Sequence, residues 1–378
     1  MQKTTIGIIG CGNISDAYLK GAARSDLIEV KAVADLNADA ASEKAKAYNV
    51  EAPSIDALLA DPDIEIVINI TVPLAHAGVS QAIISAGKHV YSEKPLAATL
   101  DDGKAMMAAA NAAGLRVGCA PDTFLGAGHQ ACRQAVDQLK IGKVVGGALS
   151  FLTHGMEDWH PNPTFFFKPG GGPVLDMAPY YLTTLINLIG PVRQVTAMTS
   201  AAFPSRIVTS EGPMTGKAID VEVPTSVHGV LTFENGAVVT LTTTWDVWAH
   251  DRRPIEVYGE TGSMLVPDPN FFGGEPKVAV RSGDWEDLDI SAFAFGIPNR
   301  PSKNGTSVAD YRIIGLLDMA AAIQADRPHR ASGMMALHVL DVMDALSRSA
   351  TEQRHLTIES RLDRPAALPK GEGEHVFF

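Results

Sequence analysis

Cysteine is scarce in this 378-residue chain, which has only Cys11, Cys119 and Cys132. Three is an odd number and no C-x-x-C spacing occurs, so neither a disulfide framework nor a zinc knuckle organises the fold, and three reduced thiols are expected. A positive excess is missing too: 31 Lys and Arg stand against 43 Asp and Glu, a formal charge of −12. Nucleic-acid binding needs a basic surface that releases counterions, so that partner is excluded, and an anionic membrane is disfavoured for the same reason. No apolar run approaches the ~20 residues that span a bilayer. The first fifteen residues read as a strand and a glycine turn, not as a secretory leader, and a cytoplasmic location is expected. Internal repeats and low-complexity tracts are absent. The chain exceeds the size at which one core usually stops growing, so two domains are expected.

What is present begins at Ile6-Gly7-Ile8-Ile9-Gly10-Cys11-Gly12-Asn13-Ile14-Ser15, an apolar strand running into a glycine turn and a helix start. Gly10 lets the chain turn sharply, and Gly12 has no side chain to keep a phosphate from the backbone and the helix N-terminus. Asp35 ends the next apolar run, Val30-Lys31-Ala32-Val33-Ala34. It stands where an acidic side chain accepts hydrogen bonds from the adenosine ribose. A dinucleotide is expected, its pyrophosphate on Gly10, Gly12, Asn13 and Ile14 and its ribose on Asp35. The carboxylate repels a 2′-phosphate and Leu36 adds no cation, so NAD is expected ahead of NADP. Ser15, in the third glycine position, loosens the helix contact without removing the phosphate site.

From Thr4 to about Gly118, strands at 4–9, 28–34, 65–70, 88–91 and 115–119 alternate with Ala-rich helices at 13–24, 38–47, 75–86 and 101–113. Such alternation predicts a doubly wound parallel sheet with ligand at the strands' carboxyl ends. After a helix at 127–140 the pattern turns β-rich, with runs at 143–153, 191–200, 225–233, 237–245, 254–258 and 263–266 and a hairpin signal at Asn235-Gly236. Helices return at 307–325 and 333–349. The expected fold class is therefore α/β: a Rossmann domain over 1–122, then an α+β domain over 123–378 with an open, mostly antiparallel sheet. The Pro/Gly-rich tail after Arg364 is expected to be irregular, with an apolar Val376-Phe377-Phe378 that docks.

Lys94, between Glu93 and Pro95 after Val90-Tyr91, stands where a nicotinamide ring reaches. Burial there disfavours its charge and should lower its pKa toward working pH, as proton transfer requires. A surface lysine in an ordinary turn is the competing reading. Pro95 fixes the backbone and offers a cis bond. Downstream, Gly170-Gly171-Gly172 leads into a helix, with Asp176 as its expected N-cap and Pro179 in its first turn. Asp176 and Tyr180, four apart, share a helix side and present a carboxylate and a phenol together. A plain cap and a core aromatic are the alternatives. The loop His154-Gly155-Met156-Glu157-Asp158-Trp159-His160 is dense in rings and imidazoles, which suits a carbohydrate face. His154, Trp159 and His160 are expected to line substrate, whereas the spacing fits no zinc pattern and no metal is expected. Phe165 to Phe167 also read as packing. Asp122, after the last Rossmann strand, either faces the cleft as a substrate ligand or forms a turn.

Taken together these residues resemble the glucose-fructose oxidoreductase and inositol dehydrogenase family, Gfo/Idh/MocA. The likeness rests on Gly10 to Ser15, Asp35, Thr71-Val72-Pro73-Leu74-Ala75-His76 in place of an N-x-P-x-x-H stretch, Glu93-Lys94-Pro95, and the glycines leading to Asp176. It implies NAD(P)-dependent chemistry on sugars or cyclitols, with Thr71, Pro73, His76, Glu93 and Lys94 at the cofactor. It further implies Lys94 as catalytic lysine, Asp176 as substrate aspartate, and a homodimer or homotetramer through the C-terminal sheet. Tyr180 stands where inositol-dehydrogenase-like members carry histidine, so phenol and lysine are expected to pass the proton as a unit. A redox-assisted glycoside hydrolase or lyase is the rival enzyme reading. A catalytically silent NAD-binding regulator is the rival from another class, and it would need neither Lys94 nor Asp176.

Overall fold

The computed structural model describes residues 3–302, 305–371 and 377. Its first half is β1 (Thr4–Ile9), α1 (Ser15–Ala22), β2 (Ile28–Ala34), α2 (Ala38–Tyr48), α3 (Ile55–Ala60), β3 (Ile66–Asn69), α4 (His76–Ser85), β4 (His89–Ser92), α5 (Leu100–Ala112) and β5 (Val117–Cys119). The five strands pair in parallel in the order β2-β1-β3-β4-β5. Helices cover both faces of such a sheet, which is why Ile6, Ile8, Ile66, Val67 and Ile68 are all buried without alternation. Strand order reverses at β1, and the crevice for a ligand opens there, beyond the carboxyl ends of β1 and β3. The short α3 was not foreseen; Ser54 caps it by accepting from the Ala57 amide, but six residues are too few to show a period.

The second half comprises α6 (Ala127–Asp137), β6 (Val144–Leu152), α7 (Pro173–Ile189), β7 (Val192–Ser200), β8 (Ser205–Ile207), β9 (Ala218–Asp220), β10 (Ser226–Phe233), β11 (Val238–Thr244), β12 (Ile255–Gly259), β13 (Gly262–Val266), β14 (Lys277–Val280), β15 (Glu286–Asp287), β16 (Arg300–Pro301), β17 (Ser307–Val308), α8 (Ile314–Gln324), α9 (Gly333–Glu352) and β18 (Leu356–Thr357). Nine strands form one sheet in the order β15-β14-β13-β12-β6-β11-β10-β7-β18. Only its β6–β11 pairing is parallel. The apolar side of α7, with Leu182, Leu185, Ile186 and Leu188 fully buried, packs on β6, β10 and β11. The opposite sheet face leaves Val145, Met198, Val230 and Val238 exposed.

Two boundaries depart from expectation. α7 begins at Pro173, so Gly172 caps it, Asp176 sits within its first turns, and Pro179 lies inside the helix. Proline at the first helical position is preorganised for a start, and that signal outweighed the aspartate. α8 begins at Ile314, not 307, because Ile313 has φ +106 and the preceding Ser307–Val308 pairs with β16. Both C-terminal helices fold back on the first half: α8 packs against β5, and α9 against α5 and β5. In the tail, Phe377 is buried against Phe295 and its carbonyl accepts from Ser25 Oγ at 2.6 Å. Val376 and Phe378 lie outside the described residues.

Candidate active site

The dinucleotide end is built at the carboxyl edge of β1. Gly10 has φ +109, and a Cβ there would stand 2.7 Å from the Ile70 carbonyl, so only glycine fits. A Cβ on Gly12 would meet nothing within 4 Å, which leaves open space in front of the turn. The amides of Gly12, Asn13 and Ile14 donate to no acceptor among the described residues, and they head α1. Unpaired donors at a helix N-terminus facing open space fit a pyrophosphate. Asp35 accepts from the Cys11 amide at 2.7 Å and the Asn37 amide at 2.8 Å, which holds its carboxylate beside that space. Leu36 is 94% exposed. Thr71 and Pro73 form the loop after β3, where Thr71 donates to Asn69 Oδ1 at 2.7 Å and Pro73 opens a short 3-10 turn.

At the reacting end, β4 delivers Glu93 and Lys94, followed by a cis Lys94–Pro95 bond. Glu93 accepts from Tyr18 Oη at 2.9 Å and from the Lys94 amide at 3.0 Å, tying the turn to α1. The Lys94 ammonium donates to the Asp176 carbonyl at 2.6 Å and to Asp176 Oδ1 at 2.9 Å. It also lies 5.1 Å from the centre of the Tyr180 ring. An ammonium has three donors, so one N–H remains for a substrate oxygen. Burial opposes the Lys94 charge, but the Asp176 carboxylate, with Tyr180 and Glu93, outweighs it and holds the pKa above the usual lysine range. The expected lowering is thus corrected. Chain order does not show that the carboxylate touches the amine.

These groups face a cleft of about 820 Å³ between the two halves. Arg312 and Asn270 line it beside Tyr180, and Arg312 Nη2 donates to Asn270 Oδ1 at 3.2 Å. His154, Trp159, Trp248 and His250 line it elsewhere. Trp248 lies flat on His154, with ring centres 3.3 Å apart and planes within 15°. Behind this wall Arg206, almost fully buried, donates to Glu157 Oε1 at 2.7 Å, to the His154 carbonyl at 2.9 Å and to the Trp245 carbonyl at 3.1 Å, and it pairs with Asp246.

Three expected ligands lie elsewhere. Asp122 is buried and accepts from the amides of Ile313 at 3.1 Å and Gly315 at 2.9 Å, so it caps α8. Burial pushes its pKa up to about 6 against those bonds. His160 accepts from the Asn162 amide and packs edge-on to Trp159, Phe165 and Phe166, consolidating the loop outside the cleft lining. His76 is buried with its ring nitrogens 2.7 Å from the Pro95 carbonyl and 3.0 Å from the Thr71 carbonyl. It pins the Thr71–Pro73 loop to the Lys94 turn and keeps no edge for a cofactor. Among the described residues no three His, Cys, Asp or Glu gather as a metal site. Arg312, Asn270, Trp248 and His250 were not foreseen. The cluster Trp245-Asp246-Val247-Trp248-Ala249-His250 has the same density of rings as the 154–160 loop and carried a signal. Arg312 carried none, since only the fold brings it to Tyr180.

Comparison with known proteins gives a family for both halves. Residues 4–120 match the GFO/IDH/MocA oxidoreductase family with an NAD-binding Rossmann fold, and residues 129–265 match the GFO/IDH/MocA C-terminal domain. A 1,5-anhydro-D-fructose reductase of Ensifer adhaerens is 31% identical over 188 residues, which span 47% of this chain and 54% of that protein. A levoglucosan dehydrogenase of Pseudarthrobacter phenanthrenivorans is 28% identical over 297 residues, 70% of this chain and 74% of the relative. A solved levoglucosan dehydrogenase in complex with NADH and L-sorbose shares the fold at a TM-score of 0.79 and 24% identity, covering 96% of this chain and 100% of that one. No helix among the described residues is long and apolar enough to cross a membrane. With both halves matched in order around one cleft, the chain belongs to the GFO/IDH/MocA family of oxidoreductases and carries its NAD-binding Rossmann fold.

Proposed function

We propose that this chain moves hydride between NAD and a hydroxyl or keto carbon of a sugar, sugar derivative or cyclitol, with Lys94 and Tyr180 handling the proton. The observation that carries the reading is the convergence of Lys94, from the first half, with Asp176 and Tyr180, from α7, in one open cleft. The names of the relatives, an anhydrofructose reductase and a levoglucosan dehydrogenase, support the substrate class. Gly10 to Ile14 hold the pyrophosphate and Asp35 the ribose, and NAD supplies the hydride acceptor. The Asp35 carboxylate disfavours a 2′-phosphate, so NAD is preferred over NADP.

The remaining Lys94 N–H donates to the reacting oxygen, and the free lone pairs of the Asp176 carboxylate accept from a neighbouring hydroxyl. In oxidation the carbon loses its C–H as hydride, the O–H proton passes to the Lys94–Tyr180 pair, and the C=O bond forms. In reduction the ammonium already carries the proton that the new hydroxyl needs. Because Asp176 holds Lys94 charged, reduction finds the site loaded, whereas oxidation requires a proton to leave it first. The protein works as a cytoplasmic homodimer or homotetramer through the exposed face of the nine-stranded sheet, with the two domains dividing near residue 122. A panel of aldoses, ketoses, anhydrosugars and cyclitols with NAD and with NADP, followed by NADH absorbance, tests the reading. NADH formation with at least one polyol supports it, and NAD binding without any NADH formation refutes it.

A further inference from the structure

The cleft is larger than one sugar ring requires, and part of its wall lies apart from the reacting groups. At about 820 Å³ it is near the top of the roughly 300–1,000 Å³ typical of small-ligand sites. Lys94, Asp176, Tyr180, Asn270 and Arg312 gather the polar groups that one ring with its hydroxyls would use. Trp248 adds a flat indole that is 77% exposed. An indole so exposed adds little to the fold, yet it stands on a buried, ion-paired footing.

Trp248 rests on His154, whose carbonyl accepts from Arg206. The same Arg206 pairs with Glu157, three residues beyond His154, and with Asp246, two residues before Trp248. Asp246 accepts in addition from Thr225 Oγ1 at 2.7 Å and Ser226 Oγ at 2.6 Å. The Val247 amide donates to the Thr153 carbonyl at 3.0 Å, which joins the two loops directly. An exposed ring on a buried ionic footing is the arrangement of a binding platform, because the ordering is done before any ligand arrives.

Resting on the dehydrogenase reading, we propose that Trp248, backed by His154, forms a subsite for a second ring, so that the substrate is a glycoside whose aglycone or neighbouring sugar stacks on the indole. Stacking suits this position since a sugar's C–H face and an aryl ring both present a flat apolar surface. Continuity of the platform with the cleft favours part of the substrate as its occupant over a separate partner.

The test compares methyl glycosides of glucose, galactose, mannose and xylose with their phenyl glycosides and with disaccharides, using wild type, Trp248→Ala and Trp248→Phe. The wild type is expected to prefer a two-ring substrate, the phenyl and disaccharide arms showing whether the second ring is aryl or sugar. Trp248→Ala should raise KM about tenfold to a hundredfold more for two-ring than for one-ring substrates, with the split in KM and not in kcat. Trp248→Phe should restore most of the difference. Equal losses on both substrate types, or no two-ring preference, overturn the proposal while leaving the dehydrogenase reading intact. Absence of NADH from every glycoside counts against the dehydrogenase reading instead. The platform is then read by phenyl glycosides quenching wild-type tryptophan fluorescence with NADH bound, and an equal effect in Trp248→Ala overturns it. Fluorescence that responds to protein concentration, but not to glycoside, gives the surface to a second copy and also overturns it.

Discussion

Replacing Arg206 by methionine isolates the footing of the cleft wall. The guanidinium is 4% exposed and lies between Glu157, 5% exposed, and Asp246, 10% exposed. Methionine keeps an apolar stem of similar length and removes the charge that both carboxylates share, along with the guanidinium's contacts over the Phe167 and Phe203 rings. Taking one partner from a buried pair costs about 3–5 kcal/mol, mainly because a buried charge is left uncompensated. Two carboxylates are left here, and Thr225 and Ser226 still donate to one of them. Arg206→Met is therefore expected to lose about 3–5 kcal/mol in the stability of this region. The readout is local: the amides of Thr209 and Ser210 donate to the Glu157 carbonyl, and their hydrogen exchange reports whether the loop stays seated. Exchange in 153–168 and 205–220 should accelerate together. Adding Glu157→Gln and Asp246→Asn should recover much of the loss, since no buried charge then remains. A loss under about 1 kcal/mol, with unchanged exchange, would refute the claim that this buried cluster holds the wall.

Other outcomes follow from the same geometry. Asp35→Asn removes the charge and keeps one of the two oxygens that accept from the Cys11 and Asn37 amides, so the ratio of NADP to NAD efficiency should rise about tenfold or more, measured as kcat/KM. Asp122 is pushed up to about 6 by burial. The stability that it contributes is present below about pH 4 and is lost as pH rises through 6, up to about 3 kcal/mol. Urea titrations across pH 4–7 should show that fall in the wild type and a flatter profile in Asp122→Asn. Because Lys94 is held above the usual lysine range, oxidation should rise with pH by up to about tenfold per unit through neutrality, while reduction stays level. A plateau in oxidation near pH 7 would contradict the charged resting state.

Much of the fold was legible because each periodic run had one reading. β1 and β3 to β5 are almost wholly buried, their helices are amphipathic or Ala-rich, and Gly10 sits where no other residue fits. α3, β8 and β9 escaped notice because runs of three to six residues show no period. In the site, Lys94, Asp176 and Tyr180 were legible from the order of the Glu-Lys-Pro turn and the glycine-led helix. Arg312 was not, since only the fold brings it to the cleft from a distant segment, whereas Trp248 did carry a signal, in the ring-dense stretch 245–250. Asp122 looked like a cleft ligand because a turn aspartate and a helix cap read alike, and the helix that it caps begins 192 residues later. The sign of the Lys94 shift depended on a contact of 2.9 Å across 82 residues of chain. Burial alone predicts the opposite direction.

The central claim, that the Lys94 amine does the proton work at the meeting point of the two halves, is tested most directly by Lys94→Ala. NADH titration and steady-state turnover should be measured on the same preparation, with the polyol that wild type oxidises best. NADH affinity should stay within about threefold while turnover falls by about 10²–10⁴. Turnover near the wild-type value, with NADH bound, would contradict the account.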